Sequence, residues 1–407
     1  MLRVVLGVTG GISAYKAAGI IRLLTEAGHQ VKVIPTSNAL RFIGAATLEA
    51  LSHNSVDPDL YSDVAEVKHV QLGQEADLVI VAPATANFLA RYAAGIADDL
   101  LGTTLLATKA PVVVAPAMHT EMWQHPSTVR NVATLRERGV VVLEPDIGRL
   151  TGADSGPGRL PEPEAIVAAA LATVEAQSRN LKNLQRLSGK RILISAGGTH
   201  EPIDAVRYIG NSSSGKQGIA LAQVAASAGA IVTLVGANLP VKPSGVGEYL
   251  HVATAQEMAD IISQRLPSCD ALIMAAAVSD YRVEDSSPLK LKKSNLGDRT
   301  TLTLVANPDI LATSVERIGK SGLSCLTVGF AAETPASPEQ LEDLAAHKLA
   351  SKGCDILVAN DVSGGGVFGS DRTSVVILSS SGETARFSGS KVEASSAILN
   401  SLASLMS

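Results

Sequence analysis

The chain has 407 residues, a length that suits two domains of ordinary size. With 46% hydrophobic and 18% charged residues there is enough apolar material for real cores and no case for wholesale disorder. A net charge of −5 and an aromatic content of only 3% exclude an electrostatic or base-stacking footprint for nucleic acid, so small molecules are the expected partners.

No apolar stretch approaches the roughly 20 residues needed to cross a bilayer, so no membrane partner is expected. The N-terminus passes from a short β-branched run into a glycine turn, unlike a secretory leader, and a cytoplasmic setting is expected. Cys269, Cys325 and Cys354 have neither zinc spacing nor the pattern of a disulfide framework, and all lie in the second half.

In chain order, β-branched runs at 2–8, 31–36, 78–83, 112–116 and 140–144 read as strands, with helical periodicity between them at 15–27, 86–109 and 122–138. Strands that are apolar throughout, rather than alternating, imply a doubly wound, mostly parallel α/β sheet covered on both faces. After Gly148 a glycine- and proline-rich stretch reads as a long functional loop, and a helix begins near Pro163. The polar segment 177–190 shows no strand signal and puts a domain boundary between residues 189 and 190. A second α/β domain, 190–407, then starts in the same manner, with a strand at 191–196, a glycine turn, a helix at 217–228 and a strand at 231–237. Later strands are expected at 271–276, 300–305, 326–330 and 355–358, with helices at 308–318 and 338–352. The fold class is therefore two Rossmann-like α/β domains of related architecture.

Two glycine turns carry the first chemistry. Gly7-Val-Thr-Gly10-Gly11-Ile-Ser13 joins a strand to a helix, where backbone N–H groups can cradle a phosphate. It is not the dinucleotide fingerprint, because Thr9 stands where G-x-G-x-x-G needs glycine and the second strand ends in Thr36 and Ser37 rather than an acid. A mononucleotide such as FMN suits it better than NAD. The second turn, Gly210 to Gly215-Lys216, has Walker A spacing, but Gln217 replaces the hydroxyl that binds magnesium, which excludes an ordinary P-loop ATPase. Its Asn211, Ser212, Ser213, Ser214 and Lys216 still concentrate donors for an anion at a helix start.

Longer strings are more specific. VTGGISAYK, His69 within VKHVQLG, PATANFLA, GIADDLL and PAMHTEMW follow one another in an order that resembles the homo-oligomeric flavin-containing cysteine decarboxylases. The second half, with AGGTHEPIDAVRYIGNSSSGKQG, MAAAVSDY, KLKK, ANPDIL, GFAAET, HKLASKGCD and VANDVS, resembles phosphopantothenate-cysteine ligase. Together they resemble the bifunctional coenzyme A biosynthesis proteins that fuse phosphopantothenoylcysteine decarboxylase to that ligase.

For the first half the resemblance implies an FMN site. Gly10, Gly11, Ser13 and Ser37 match positions near the phosphate, and Pro83, Thr85, Ala86 and Asn87 match the segment beside the flavin. His69 matches the essential histidine, whose imidazole suits a proton or carboxylate near neutral pH. The flavin of this family oxidises the cysteinyl thiol toward a thioaldehyde, which eases loss of the carboxylate. Met118 and Arg159 match substrate-contacting positions, Arg159 being suited to the substrate phosphate.

Two departures stand out. His119 replaces the Asn thought to hold the substrate carboxylate, and Gly152 replaces the loop cysteine implicated in the final proton transfer. Asp154, Ser155 or His119 is expected to substitute. The alternatives are an oxidative decarboxylase that stops at the enethiol and a flavin-holding regulatory module.

For the second half the resemblance implies CTP-dependent formation of an acyl-cytidylate with release of pyrophosphate, followed by attack of L-cysteine on 4'-phosphopantothenate in its activated form. The implied CTP contacts are Met274, Ala275, Ala276, Asp280, Lys290, Pro308, Asp309, Ile310, Leu311, Phe330, Lys348 and Lys352. Arg207, Asn211 and Lys290 match catalytic positions, and Mg2+ accompanies the phosphates through ligands that the sequence leaves unknown. The implied assembly is a homo-oligomer in which decarboxylase trimers build dodecamers and ligase modules pair as dimers.

Overall fold

The computed structural model describes residues 1–56, 68–149, 155–240, 242–292, 299–363 and 369–406. They form two compact units, Met1–Arg179 and Asn180–Ser407. The division falls inside the helix Pro163–Gln185. Among the described residues no helix is long and apolar enough to cross a membrane.

The first unit is built on a five-stranded sheet in the order Gln30–Pro35, Arg3–Val8, Leu78–Ala84, Val112–Pro116, Val141–Val142, parallel throughout. Every residue of Leu78–Ala84 is buried, as a strand covered on both faces requires. On one face Val4, Leu6 and Val8 pack with Ile20, Ile21 and Leu24 of the helix Ala17–Glu26; on the other, Val5, Val79 and Val81 pack with Leu100, Leu101 and Leu105. Burying one such side chain contributes about 1.5–3 kcal/mol.

The sheet order reverses at Arg3–Val8. The chain next adds a strand on one side of it and then Leu78–Ala84 on the other, so the connections leave in opposite directions and open a crevice at the carboxyl ends of these two strands.

The expected helix at 86–109 is two helices, Ala86–Ala94 and Leu100–Ala107. Gly95 adopts φ 74° and ends the first, and the Asp99 carboxylate accepts from Gly102 N (2.7 Å) to cap the second. Likewise 122–138 divides into Thr120–Trp123 and Pro126–Glu137, because Pro126 lacks the N–H that continuation needs and suits the first turn of a new helix. The glycine-rich stretch after Gly148 includes an antiparallel hairpin, Asp146–Arg149 with Ser155–Arg159. Gly152 and Asp154, between its strands, lie outside the described residues.

The second unit holds an eight-stranded sheet in the order Glu248–Val252, Ile231–Ala237, Arg191–Gly197, Ala271–Met274, Leu326–Glu333, Ile356–Asp361, Arg372–Ser379, Thr384–Ser390. The first six are parallel and the last two antiparallel. Here too the order reverses at the opening strand, between Arg191–Gly197 and Ala271–Met274. Leu304–Ala306, in the region expected as a strand at 300–305, leaves the main sheet to form a two-stranded ribbon with Tyr281–Val283. The sequence reading lacks Glu248–Val252, both antiparallel strands and the helices Ala255–Arg265 and Lys391–Leu405.

Candidate active sites

At the first reversal point a buried hydroxyl joins the two turns. Thr9, 2% exposed, donates through Oγ1 to Pro83 O (2.8 Å) and accepts from Thr85 N (3.0 Å), while its N–H donates to Pro83 O (3.2 Å). Thr85 Oγ1 in turn accepts from Phe88 N (3.3 Å), capping the helix Ala86–Ala94. Thr9, which the sequence reading used only to exclude a dinucleotide fingerprint, is therefore the hub that fixes Pro83 and Thr85; burial is the signal that sequence alone does not carry.

Gly10 faces the end of the second strand. A Cβ built there would lie 2.5 Å from Asn38 Cβ and 2.9 Å from its carbonyl carbon, so only glycine allows the approach. The 3-10 turn Ile12–Lys16 that follows has no side-chain cap at Gly11, which leaves its first N–H groups for an anion. Ser13 is half-buried beside them, and Ser37 is exposed on the facing loop. This donor set fits the phosphate of a mononucleotide. Pro83 is buried, Ala86 half-buried and Asn87 exposed at the neighbouring helix start.

The hairpin is pinned to this region. Met118 N donates to Gly158 O (3.0 Å), and a Cβ at Gly158, whose φ is 153°, would lie 2.2 Å from Met118 O. His119 is exposed and starts the helix Thr120–Trp123 with no bond from its imidazole to the backbone. Arg159 Nη2 lies 2.6 Å from Glu162 Oε1, and the same oxygen is 3.0 Å from Nζ of Lys16. Lys16 is 7% exposed and also donates to Leu160 O (2.9 Å). Lys16 and Arg159 hold the Glu162 carboxyl below its ordinary range, Lys16 acting first. His69 lies half-buried in the helix Lys68–Glu75, directly after residues outside the description.

The second reversal point opens a cavity of about 860 Å³ at the carboxyl ends of the parallel strands. It brings together Asn211, Met274, Ala275, Ala276, Asp280, Pro308, Asp309, Ile310, Leu311, Phe330, Lys348 and Lys352, gathered from well-separated segments of the chain. Asn211 Nδ2 donates to Val278 O (3.0 Å), tying the glycine turn to the loop after Ala271–Met274. Asp309 accepts from Ala312 N (3.0 Å) as the cap of Ile310–Ser321 and pairs with Lys352. Burial raises the Asp309 carboxyl, but Lys352 and the helix N–H groups outweigh it and bring the pKa below the ordinary value. Lys348 lies 2.6 Å from Glu333.

Arg207 and Lys290 do not line that cavity. Arg207 instead grips Asp204 through Nε (3.0 Å) and Nη2 (2.6 Å) and donates to Leu291 O (3.1 Å). Leu291 N returns a bond to Asp204 (3.1 Å), so the segment bearing the exposed Lys290 is fastened to the 203–207 loop. The Arg207 guanidinium holds the Asp204 carboxyl well below the usual range, helped by backbone N–H groups of Val206, Arg207 and Leu291.

The flavoprotein family model matches residues 1–175, and that of the DNA/pantothenate metabolism flavoprotein C-terminal domain matches residues 187–406. The coenzyme A biosynthesis bifunctional protein CoaBC of Mycobacterium tuberculosis is 52% identical over 99% of this chain and 97% of its own length. That of Vibrio parahaemolyticus is 42% identical over 99% of this chain and 98% of its own. Among solved structures, the C-terminal domain of a CoaBC protein is 33% identical, with a TM-score of 0.45 over 55% of this chain and 98% of that one. With a flavoprotein unit and a C-terminal ligase-type unit matched in sequence over nearly their whole length, the chain belongs to the family of bifunctional coenzyme A biosynthesis proteins, CoaBC.

Proposed function

We propose that the chain performs two consecutive reactions in the cytoplasm: CTP-dependent ligation of 4'-phosphopantothenate to L-cysteine in the second unit, and FMN-dependent decarboxylation of 4'-phosphopantothenoylcysteine to 4'-phosphopantetheine in the first. One observation carries this reading: 52% identity to a bifunctional relative extends over 99% of the chain and so includes both reversal-point crevices.

Bound FMN supplies a reversible two-electron sink for the cysteinyl thiol, which makes loss of the neighbouring carboxylate easy. Gly10, Gly11, Ser13 and Ser37 hold its phosphate, and Pro83, Thr85, Ala86 and Asn87 flank it, with Thr9 locking the last group in place. His69 handles the substrate's proton or carboxylate. His119 donates to the carboxylate from its exposed position at a helix start, Met118 packs beside it, and Arg159 takes the substrate phosphate.

In the second unit the substrate carboxylate attacks the α-phosphorus of CTP, and pyrophosphate leaves. Cysteine nitrogen then attacks the acyl carbon and CMP leaves. Asn211 from the cavity wall, and Arg207 and Lys290 from the neighbouring arm, bear on the charge that develops in these steps, and the other residues of the cavity hold the nucleotide. Mg2+ would accompany the CTP phosphates and neutralise part of their charge. Decarboxylase trimers and ligase dimers are the proposed assembly.

The reading is tested by mass spectrometry of products formed from phosphopantothenate, cysteine, CTP and Mg2+ by the purified protein. Phosphopantetheine with CMP, pyrophosphate and CO2 is expected. Accumulated enethiol would instead favour the second reading, in which Gly152 leaves the decarboxylase incomplete. Against that second reading, His119→Ala and Ser155→Ala are expected to shift the product from phosphopantetheine to enethiol in at least one case.

A further inference from the structure

The Asn211 amide of the second unit is braced by groups that belong neither to the site residues read from the sequence nor to the nucleotide contacts above. Asn211 is exposed just after the short strand Tyr208–Gly210, so its aim depends on what its amide and its backbone touch.

Asn211 Nδ2 gives one of its two protons to Val278 O (3.0 Å), which leaves the other for a ligand. Its backbone rests on Gly198: a Cβ built there would lie 2.6 Å from Asn211 O, so any side chain at 198 would displace the turn. On the other side a Cβ at Gly210 would lie 2.5 Å from Thr199 O. Gly198 and Thr199 are thus wedged between the Asn211 turn and the loop that follows the strand Ala271–Met274.

Thr199 is wholly buried, and its hydroxyl oxygen accepts from Ser279 N (2.9 Å). Its own N–H donates to Ala277 O (3.3 Å), and Gly198 pairs in parallel with Ala277. Thr199 therefore holds residues 277 and 279, and the carbonyl that orients Asn211 belongs to the residue between them. Beyond these, Asn307 Nδ2 donates to Ser279 O (2.9 Å) and Asn307 N to Asp280 O (2.8 Å), so the same hold reaches the segment that leads into the helix Ile310–Ser321. Ser279 and Asn307 line the cavity, whereas Thr199 lies outside its lining. A hydroxyl buried behind the wall acts on a substrate only through the loop it holds.

We infer that Thr199 is a positioning residue for the ligation: through Ser279 it fixes Val278 O and thereby aims the remaining proton of the Asn211 amide at the acyl oxygen. In that step the cysteine nitrogen forms a bond to the acyl carbon while the acyl oxygen takes up an electron pair. The pair returns as the bond from the acyl carbon to the cytidylate oxygen breaks, CMP leaves with the electrons of that bond, and the amine proton passes to water. A donor held in place before the charge arrives stabilises it without reorganisation. A misplacement of about 1 Å costs on the order of 10²-fold in rate. This role rests on the nucleotide-dependent ligase reading and on the place of Asn211 in it, and adds what holds that amide on line.

The test is the rate of CMP release from CTP, 4'-phosphopantothenate, L-cysteine and Mg2+ by the full-length protein and by Thr199→Val, Thr199→Ser, Asn211→Ala and the Thr199→Val/Asn211→Ala double variant. Thr199→Val keeps the shape and loses the acceptor, and is expected to lower kcat by about tenfold or more with KM for CTP changed by less than about threefold. Thr199→Ser retains the hydroxyl and is expected to stay within about threefold of wild type. The double variant is expected to be no slower than Asn211→Ala alone, because Thr199 acts through that amide. A folded Thr199→Val protein with wild-type kcat, or losses that multiply in the double variant, would overturn the role and leave the ligase reading standing. Thr199→Ala removes the same hydroxyl and keeps the test available should the valine variant fold poorly. Wild-type protein that releases no CMP would instead sink the ligase reading and this role together.

Discussion

Thr9, Glu162 and Asp204 show how single side chains set the two sites. Removing the Thr85 hydroxyl takes away both the cap of Ala86–Ala94 and a partner of Thr9. Thr85→Ala is expected to lower stability by about 0.5–2 kcal/mol and to weaken FMN retention, read from flavin fluorescence on dialysis and on heating. Glu162 balances two cations, so Glu162→Gln should release Arg159 and raise KM for the phosphorylated substrate more than it lowers kcat; an effect on kcat alone would count against Arg159 as the phosphate contact. Asp204 has its folded pKa depressed, so its contribution is present above the ordinary carboxylate value of about 3.9 and is lost as pH falls through the folded value. Asp204→Asn should therefore be destabilising at pH 7, with the difference from wild type narrowing under acid, as thermal unfolding across pH would show. None of these three roles is legible in the sequence. Thr9, Glu162 and Asp204 are ordinary residues in loops until their partners, 76, 146 and 87 positions away in the longest cases, arrive by folding.

At the scale of elements, periodicity and glycine punctuation located most of the parallel strands and their following turns. Buried strands such as Leu78–Ala84 are apolar at every position, which makes them conspicuous. The strands that escaped are of another kind: Thr384–Ser390 is mostly exposed, and Glu248–Val252 sits at a sheet edge, so neither needs a continuous apolar run. The hairpin Asp146–Arg149 with Ser155–Arg159 has the sequence of a loop, because glycine and proline dominate it. Its attachment through Gly158 yields a sharp expectation. Gly158→Ala meets Met118 O at 2.2 Å and should cut phosphopantetheine formation severely, while CMP production from CTP stays near wild type in the same coupled assay. Equal loss of both products would show that the hairpin serves general stability instead.

For the whole molecule, two units with separate cores imply separable responses. Ile80 and Ile273 are both fully buried, each at the centre of its own sheet. Ile80→Ala and Ile273→Ala are each expected to cost about 2–5 kcal/mol, the first lowering the melting transition that FMN raises and the second the one that CTP raises. Differential scanning calorimetry with each ligand separates them, and a single transition shifted equally by both substitutions would contradict the assignment.

What the sequence by itself determined was the fold class, the two glycine turns and the family strings, because local pattern and residue order suffice for those. Tertiary structure decided which residues meet. It placed the reversal of strand order that opens each crevice, gathered distant segments around one cavity and kept Arg207 and Lys290 on a neighbouring arm. The physical reason is that crevices and charge balance depend on distances between groups far apart in the chain, and only the packing of the sheets fixes those distances.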